Sequence, residues 1–342
     1  MKLIYYAPTN MSLKNNLPLI SAPRIRTRRI YEALTEKSDL FVICGNYDER
    51  REAIQRFHAQ HKFSDFDGMY MESVNWPLRM SDYRFLSQVS KSLPATIFYR
   101  DCYYLFPLAF GRPTFRWWIG MFRSRLEFLF FKKWFQHFFV PTVSFSRLIK
   151  VKNYSILLPA GRVRKVSCEV HENLNVLFTG GEKRGMVLLP AIVSRLKQVA
   201  PDIKFHIFSN GFQDLCGANV VHFGEQIISR PDIMSRMDIG LSILDRHPYY
   251  DSCFPLKIMD YISFGIPVLS VENYESKKFI DENKIGFTLP YDTDAWCEKL
   301  IALRDEKEEL KKMSDRALRL VREKENWAAR ADTILQVIKE LQ

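Results

Sequence analysis

The sequence has no Cys-x-x-Cys pair. Its six cysteines, Cys44, Cys102, Cys168, Cys216, Cys253 and Cys297, are scattered, and none stands with histidines at a zinc-ligand spacing. This pattern argues against a disulfide framework and for a reducing compartment, with the cytoplasm as the default. No apolar run reaches the roughly 18 residues that a spanning helix needs, and the run between Met1 and Pro8 is too short for a signal peptide. A chain that does not cross a membrane is expected. Acids are in short supply: 39 Asp and Glu stand against 50 Lys and Arg, a formal charge of +11. An anionic partner follows, either a phosphorylated molecule, an anionic membrane surface or nucleic acid. Nucleic-acid recognition motifs are missing as well, so no nucleic-acid partner is expected.

The length, 342 residues, is enough for two ordinary α/β cores. In the first half, strands are expected at Lys2 to Ala7, Leu40 to Cys44, Asp67 to Val74, Ala95 to Tyr99, Phe138 to Ser144 and Ser155 to Leu158. Helices over Glu49 to His61 and Ser81 to Ser92 alternate with them, which implies a parallel sheet. Pro23 opens a helix whose first turns carry Arg24, Arg26 and Arg28. Arginine there opposes the helix dipole unless an anion is bound, so these three are candidate phosphate contacts, with a solvated basic face as the alternative. Ligands of such sheets bind beyond the carboxyl ends of the strands. Glu72 and Asp101 lie there as candidate general bases, or as carboxylates paired with Arg79 or Arg100. From Cys102 to Pro141 the composition turns to Phe, Trp, Tyr, Leu, Arg and Lys. Rings with interleaved cations suit an in-plane membrane helix. Arg116 and Arg123 share one side and Arg125 and Lys132 nearly the opposite one, so no single amphipathic face emerges. Membrane docking is expected around Phe106 to Arg123, with core packing in the later half.

In the second half a strand over Leu174 to Phe178 leads into Gly180, Gly181, Lys183 and Arg184, then a helix from Met186 to Val199. Glycines between strand and helix let backbone N–H groups approach phosphate oxygens, and the two cations neutralise them. Further strands are expected at Ile203 to Phe208, Val220 to Phe223, Ile239 to Leu244 and Gly286 to Pro290. The organising stretch is Asp251 to Ser270. Leu256, Met259 and Ile262 recur at helical spacing, Gly265 stops the helix, and Pro267 begins a buried strand. Lys257, read as an exposed cation, and Asp260 lie three apart on one side of the helix start, where the dipole already favours an anion.

Residues Phe254-Pro-Leu-Lys-Ile-Met-Asp-Tyr-Ile-Ser-Phe-Gly-Ile-Pro-Val-Leu269 resemble the nucleotide-sugar motif of GT-B glycosyltransferases, above all glycosyltransferase family 4. The resemblance implies an α/β fold of the GT-B kind, two Rossmann-like domains facing a cleft. Residues 1–165 would bind the acceptor, 166–325 the nucleotide sugar, and the closing helix 326–342 would cross back to the first domain. It also implies that Asp260 holds the donor ribose, that Lys183 and Arg184 grip the diphosphate, and that Glu225 and Ile227 lie by the nucleobase. Ser252, followed by Cys253 and Phe254, occupies the position where the family has a Glu beside the transferred sugar. The implied activity is transfer of a sugar from a nucleotide diphosphate sugar to a hydroxyl of a lipid-linked glycan. It would need no metal or other cofactor and would act peripherally on the inner face of the cell membrane. Because Ser252 supplies no carboxylate, inversion with Asp101, ahead of Glu72, as base is expected; Asp251, one residue away, offers a retaining alternative. A GT-B epimerase and a non-catalytic nucleotide-sugar-binding protein are the rival readings.

Overall fold

The computed structural model describes residues 1–11, 22–74, 78–106, 114–164, 172–180, 187–215, 217, 219–223 and 230–342. They form two compact units, Met1–Pro159 with Trp327–Gln342, and Ala160–Asn326.

The first unit contains β1 (Lys2–Ala7), α1 (Ala22–Thr35), β2 (Asp39–Cys44), α2 (Tyr47–Gln60), β3 (Gly68–Glu72), α3 (Met80–Ser92), β4 (Ala95–Phe98), α4 (Phe115–Trp134), β5 (His137–Val140), α5 (Val143–Ile149), β6 (Tyr154–Ile156) and, from the end of the chain, α13 (Trp327–Glu340). Among the described residues the strands form one parallel sheet in the order β2-β1-β3-β4-β5-β6. Side chains of a strand alternate between the two faces of its sheet, and β1 shows the result. Ile4 and Tyr6 join a core with Phe57, Phe85 and Phe128, whereas Leu3, Tyr5 and Ala7 join Ile30, Leu34, Ala331, Ile334 and Ile338. The closing helix α13 thus completes the second face beside α1. The expected strand from Phe138 to Ser144 stops at Val140. Pro141 has no N–H for a ladder, and the Thr142 hydroxyl accepts from the Phe145 N–H at 3.0 Å, starting α5 instead.

The second unit contains β7 (Asn175–Thr179), α6 (Leu188–Val199), β8 (Lys204–Phe208), β9 (Val220–Phe223), α7 (Pro231–Met234), β10 (Ile239–Ser242), α8 (Pro248–Asp251), α9 (Leu256–Ser263), β11 (Val268–Val271), α10 (Tyr274–Asn283), β12 (Gly286–Leu289), α11 (Thr293–Asp305) and α12 (Lys307–Glu323). Its described strands are parallel in the order β12-β11-β10-β7-β8-β9. The order reverses between β7 and β10, the place where doubly wound sheets open a crevice for a ligand. Val176 and Phe178 pack on Leu189, Ile192, Trp296 and Leu300 to fill the core. Gly265 ends the turn after α9 at φ +69°, left-handed backbone that glycine adopts without a Cβ clash. The residues just before α9, expected to be loop, include the short helix α8, opened by Pro248 and capped by His247, whose Nδ1 accepts from the Tyr249 N–H at 3.0 Å.

Candidate active site

At the β7/β10 reversal, Tyr261 of α9 is fully buried. Its hydroxyl accepts from the Thr179 N–H at 3.1 Å, meets the Thr179 hydroxyl at 3.1 Å and donates to the Leu241 carbonyl at 3.0 Å. One side chain therefore pins the end of β7 to the end of β10 and draws α9 under both. The close approach requires Gly240, since a Cβ there would lie 2.4 Å from the Tyr261 ring.

One turn earlier on α9, Lys257 is only 7% exposed, which corrects the expectation of an exposed cation. Its ammonium lies 4.7 Å above the Phe178 ring, a cation on a π face. It is also 3.5 Å from where a Cβ on Gly180 would sit, so the absent side chain leaves the cation bordered by backbone at the end of β7. Pro255 begins α9 without a side-chain cap. A buried ammonium and the positive end of a helix dipole thus converge on the sheet's crevice. On the next turn, burial pushes the Asp260 carboxyl up to about 6, and the Arg164 guanidinium pulls it the other way. Arg164 is held to α9 by its N–H, which donates to the Ser263 carbonyl at 2.9 Å.

Beyond α8 the side chains turn away from the role that the resemblance gives their position. The Ser252 hydroxyl and the Cys253 thiol both donate to the Tyr249 carbonyl, at 2.9 and 3.2 Å. Phe254 packs edge-on against Phe279 at 5.1 Å. Asp251 is exposed and borders a recess of about 150 Å³ together with Asp245, Arg246, Tyr250, Glu272 and Tyr291. Gly181, Lys183, Arg184, Glu225 and Ile227 lie outside the described residues.

In the first unit, Glu72 ends β3 in a buried cluster. Its carboxylate accepts from the Tyr70 hydroxyl at 2.6 Å and pairs with Arg26 Nε at 3.5 Å. Arg26 in turn stacks 3.5 Å over Phe98. At 1% exposure Glu72 has no open face for an acceptor hydroxyl, and its partner is Arg26 rather than Arg79 or Arg100. The same pair takes Arg26 out of the set of cations open to a phosphate. Arg28 is bound to Glu32 at 2.7 Å and to the Met11 carbonyl at 3.2 Å, while Arg24 is exposed. Asp101 follows β4 and accepts from Arg100 Nε at 2.7 Å.

Two Asp-x-Asp pairs in the sequence are occupied structurally. Asp65 and Asp67 accept backbone N–H groups of Lys62 and Lys2, at 2.8 and 2.7 Å. Asp292 caps α11 through the Ala295 N–H at 2.9 Å, and Asp294 faces Arg195 at 3.4 Å.

A sequence profile of the family described as "Glycosyl transferase-like" matches residues 187–336, a span that takes in α9, Lys257 and Asp260. The profile covers the greater part of the second unit, and the topology of both sheets settles the fold. The chain has the GT-B fold. No curated protein matches the sequence, but solved structures match its fold throughout. Sucrose-phosphate synthase from Thermosynechococcus elongatus aligns with a TM-score of 0.69 at 12% identity, over 100% of this chain and 99% of that one. The Anabaena protein HepE in complex with UDP aligns at 0.68 and 10% identity, over 99% and 100%. WaaG, a glycosyltransferase involved in lipopolysaccharide biosynthesis, aligns at 0.64 and 14%, over 99% of each chain.

The sequence reading missed Tyr261 and Arg164. Tyr261 lay inside the quoted motif without a role of its own, because helical spacing carries no sign of where a hydroxyl ends. Arg164 stands next to the expected domain boundary at residue 165, and no role was assigned to it there.

Proposed function

We propose that the protein is a glycosyltransferase that moves a sugar from a nucleotide diphosphate sugar to a hydroxyl of a lipid-linked glycan, without a metal ion, at an anionic membrane surface. The observation that carries the reading is Lys257, a buried cation at the start of α9 and the end of β7. As the glycosidic bond to the donor breaks, the departing diphosphate gains negative charge. A fixed ammonium and a helix dipole in a low-dielectric crevice stabilise that charge. Asp260, on the next turn, accepts the ribose hydroxyls of the donor, and Lys183 and Arg184 add charge at the phosphates.

HepE is described in complexes with UDP, with UDP and glucose, and with UDP-glucose, which makes UDP-glucose the first donor to try. WaaG's part in lipopolysaccharide biosynthesis supports a lipid-linked glycan as acceptor. With Ser252 turned onto α8 and Glu72 enclosed, Asp101 is the base that takes the acceptor proton, giving inversion. The test is proton NMR of the product from nucleotide sugars and lipid-linked acceptors. An inverted anomeric centre, with Asp101→Asn slowed about a hundredfold and donor affinity kept, is the expected outcome. A retained centre, with the loss in Asp251→Asn instead, would overturn the assignment. Free hexose or an epimerised donor as the sole product would overturn the transfer.

A further inference from the structure

Helix α4 has three faces rather than two. Its one acid, Glu127, is turned inward, where the carboxylate accepts from the Leu78 N–H at 2.7 Å and the Tyr83 hydroxyl at 2.9 Å. Phe128 and Phe131 are buried beside it in the first unit's core. On the opposite side Phe115, Trp118, Phe122, Leu126, Leu129 and Phe130 are 42 to 80% exposed. Their spacing of three and four residues makes one continuous stripe, about 22 Å long at 1.5 Å per residue. Seven of the fifteen exposed large apolar side chains among the described residues belong to this helix, so the patch is concentrated rather than scattered.

The cations explain why the sequence showed no single amphipathic face. At about 100° per residue, Arg116 and Arg123 fall about 80 to 100° to one side of the stripe, and Arg125 and Lys132 as far to the other. All four are exposed. Each edge of the apolar stripe therefore carries a row of positive charge, and Lys133 closes its end. The expectation of core packing in the later half of the stretch is thus only half right: Phe128 and Phe131 pack inward while Leu126, Leu129 and Phe130 continue the exposed stripe.

We infer that α4 lies in the plane of an anionic lipid surface, with its stripe sunk to headgroup depth and its two rows of cations on lipid phosphates. The inference rests on the membrane reading proposed above. Charge selects this occupant. A second copy seated stripe to stripe would bring like-charged rows together, whereas anionic lipid neutralises both. The inward face, clamped by Glu127 and two phenylalanines, holds the stripe outward.

The test is flotation of the full chain with vesicles of phosphatidylcholine alone or mixed with phosphatidylglycerol. The chain should float with the mixed vesicles and release with salt. The triple variant Phe122→Gln, Leu126→Gln, Leu129→Gln should bind at least about tenfold more weakly on any vesicle, since insertion scales with apolar area. Arg116→Gln with Arg123→Gln and Arg125→Gln should lose the preference for anionic lipid. Brominated lipids should quench the parent more than Trp118→Phe, a readout that needs no destabilising change. Equal binding by parent and triple variant would overturn the role of α4 while leaving the membrane reading in place. Absence of parental binding would sink both, with donor affinity as the independent measure of the transferase reading. A concentration-dependent dimer abolished by the triple variant would assign the stripe to a second copy and overturn the inference.

Discussion

Replacing Asp260 with Asn should stabilise the protein at pH 8 and weaken its hold on the donor. Burial raises the folded carboxyl from 3.8 to about 6. Between those values the folded state keeps a proton that the unfolded chain has lost, so stability falls as pH rises through the window, and the full penalty is present above about 6. Two units at about 1.4 kcal/mol each set the penalty at about 3 kcal/mol at most, reduced by solvent at the partly exposed edge of the side chain. Asn has the same shape and no charge to bury. Urea unfolding of parent and variant should therefore agree at pH 4 to within about 1 kcal/mol and diverge in favour of Asn by about 1 to 3 kcal/mol at pH 8. Calorimetry with nucleoside diphosphates should show weaker binding by the variant at pH 8, because a ribose diol loses an ionised acceptor. If Asn is the less stable form at pH 8, the carboxylate is held by favourable contacts and the reasoning fails. Unchanged affinity would remove Asp260 from the donor site.

Tyr261→Phe removes a hydroxyl that serves Thr179 and Leu241 and leaves buried backbone groups without that partner. A loss of about 1 to 3 kcal/mol by urea unfolding is expected, together with weaker nucleoside diphosphate binding as the end of β7 loosens. Glu127→Gln keeps both hydrogen bonds, since one carboxylate oxygen accepts them both. Burial pushes that carboxyl from 4.5 up to about 7, so its ionisation removes up to about 3 kcal/mol as pH rises through that window. The variant should be more stable than the parent at pH 8 and nearly equal at pH 4.5, read by the same unfolding.

Most of the parallel alternation was legible because buried strands are continuous apolar runs and glycine and proline mark their ends. The failures share a cause. The strand expected from Phe138 ran on to Ser144, and only the placement of Thr142 after Pro141 shows that a cap begins a helix at Val143. For Lys257 the position on α9 was legible but the depth was not, because burial of a cation depends on Phe178 and Gly180 from another element. Glu72 and Arg26 are 46 residues apart in sequence, and no local pattern reports that they meet. The two basic rows of α4 were visible as opposed pairs, but a helix with protein on one face and exposed apolar side chains on another requires the packed structure to interpret.

The central claim is that a buried ammonium at the start of α9 receives the donor's diphosphate. Lys257→Met keeps an unbranched stem over Phe178 and removes only the charge. Calorimetry should find nucleoside diphosphate affinity lowered at least about tenfold in this variant, nucleoside affinity little changed, and the two proteins equally folded, as a charge-assisted hydrogen bond to phosphate requires. Equal diphosphate affinity in Lys257→Met and parent would contradict the account.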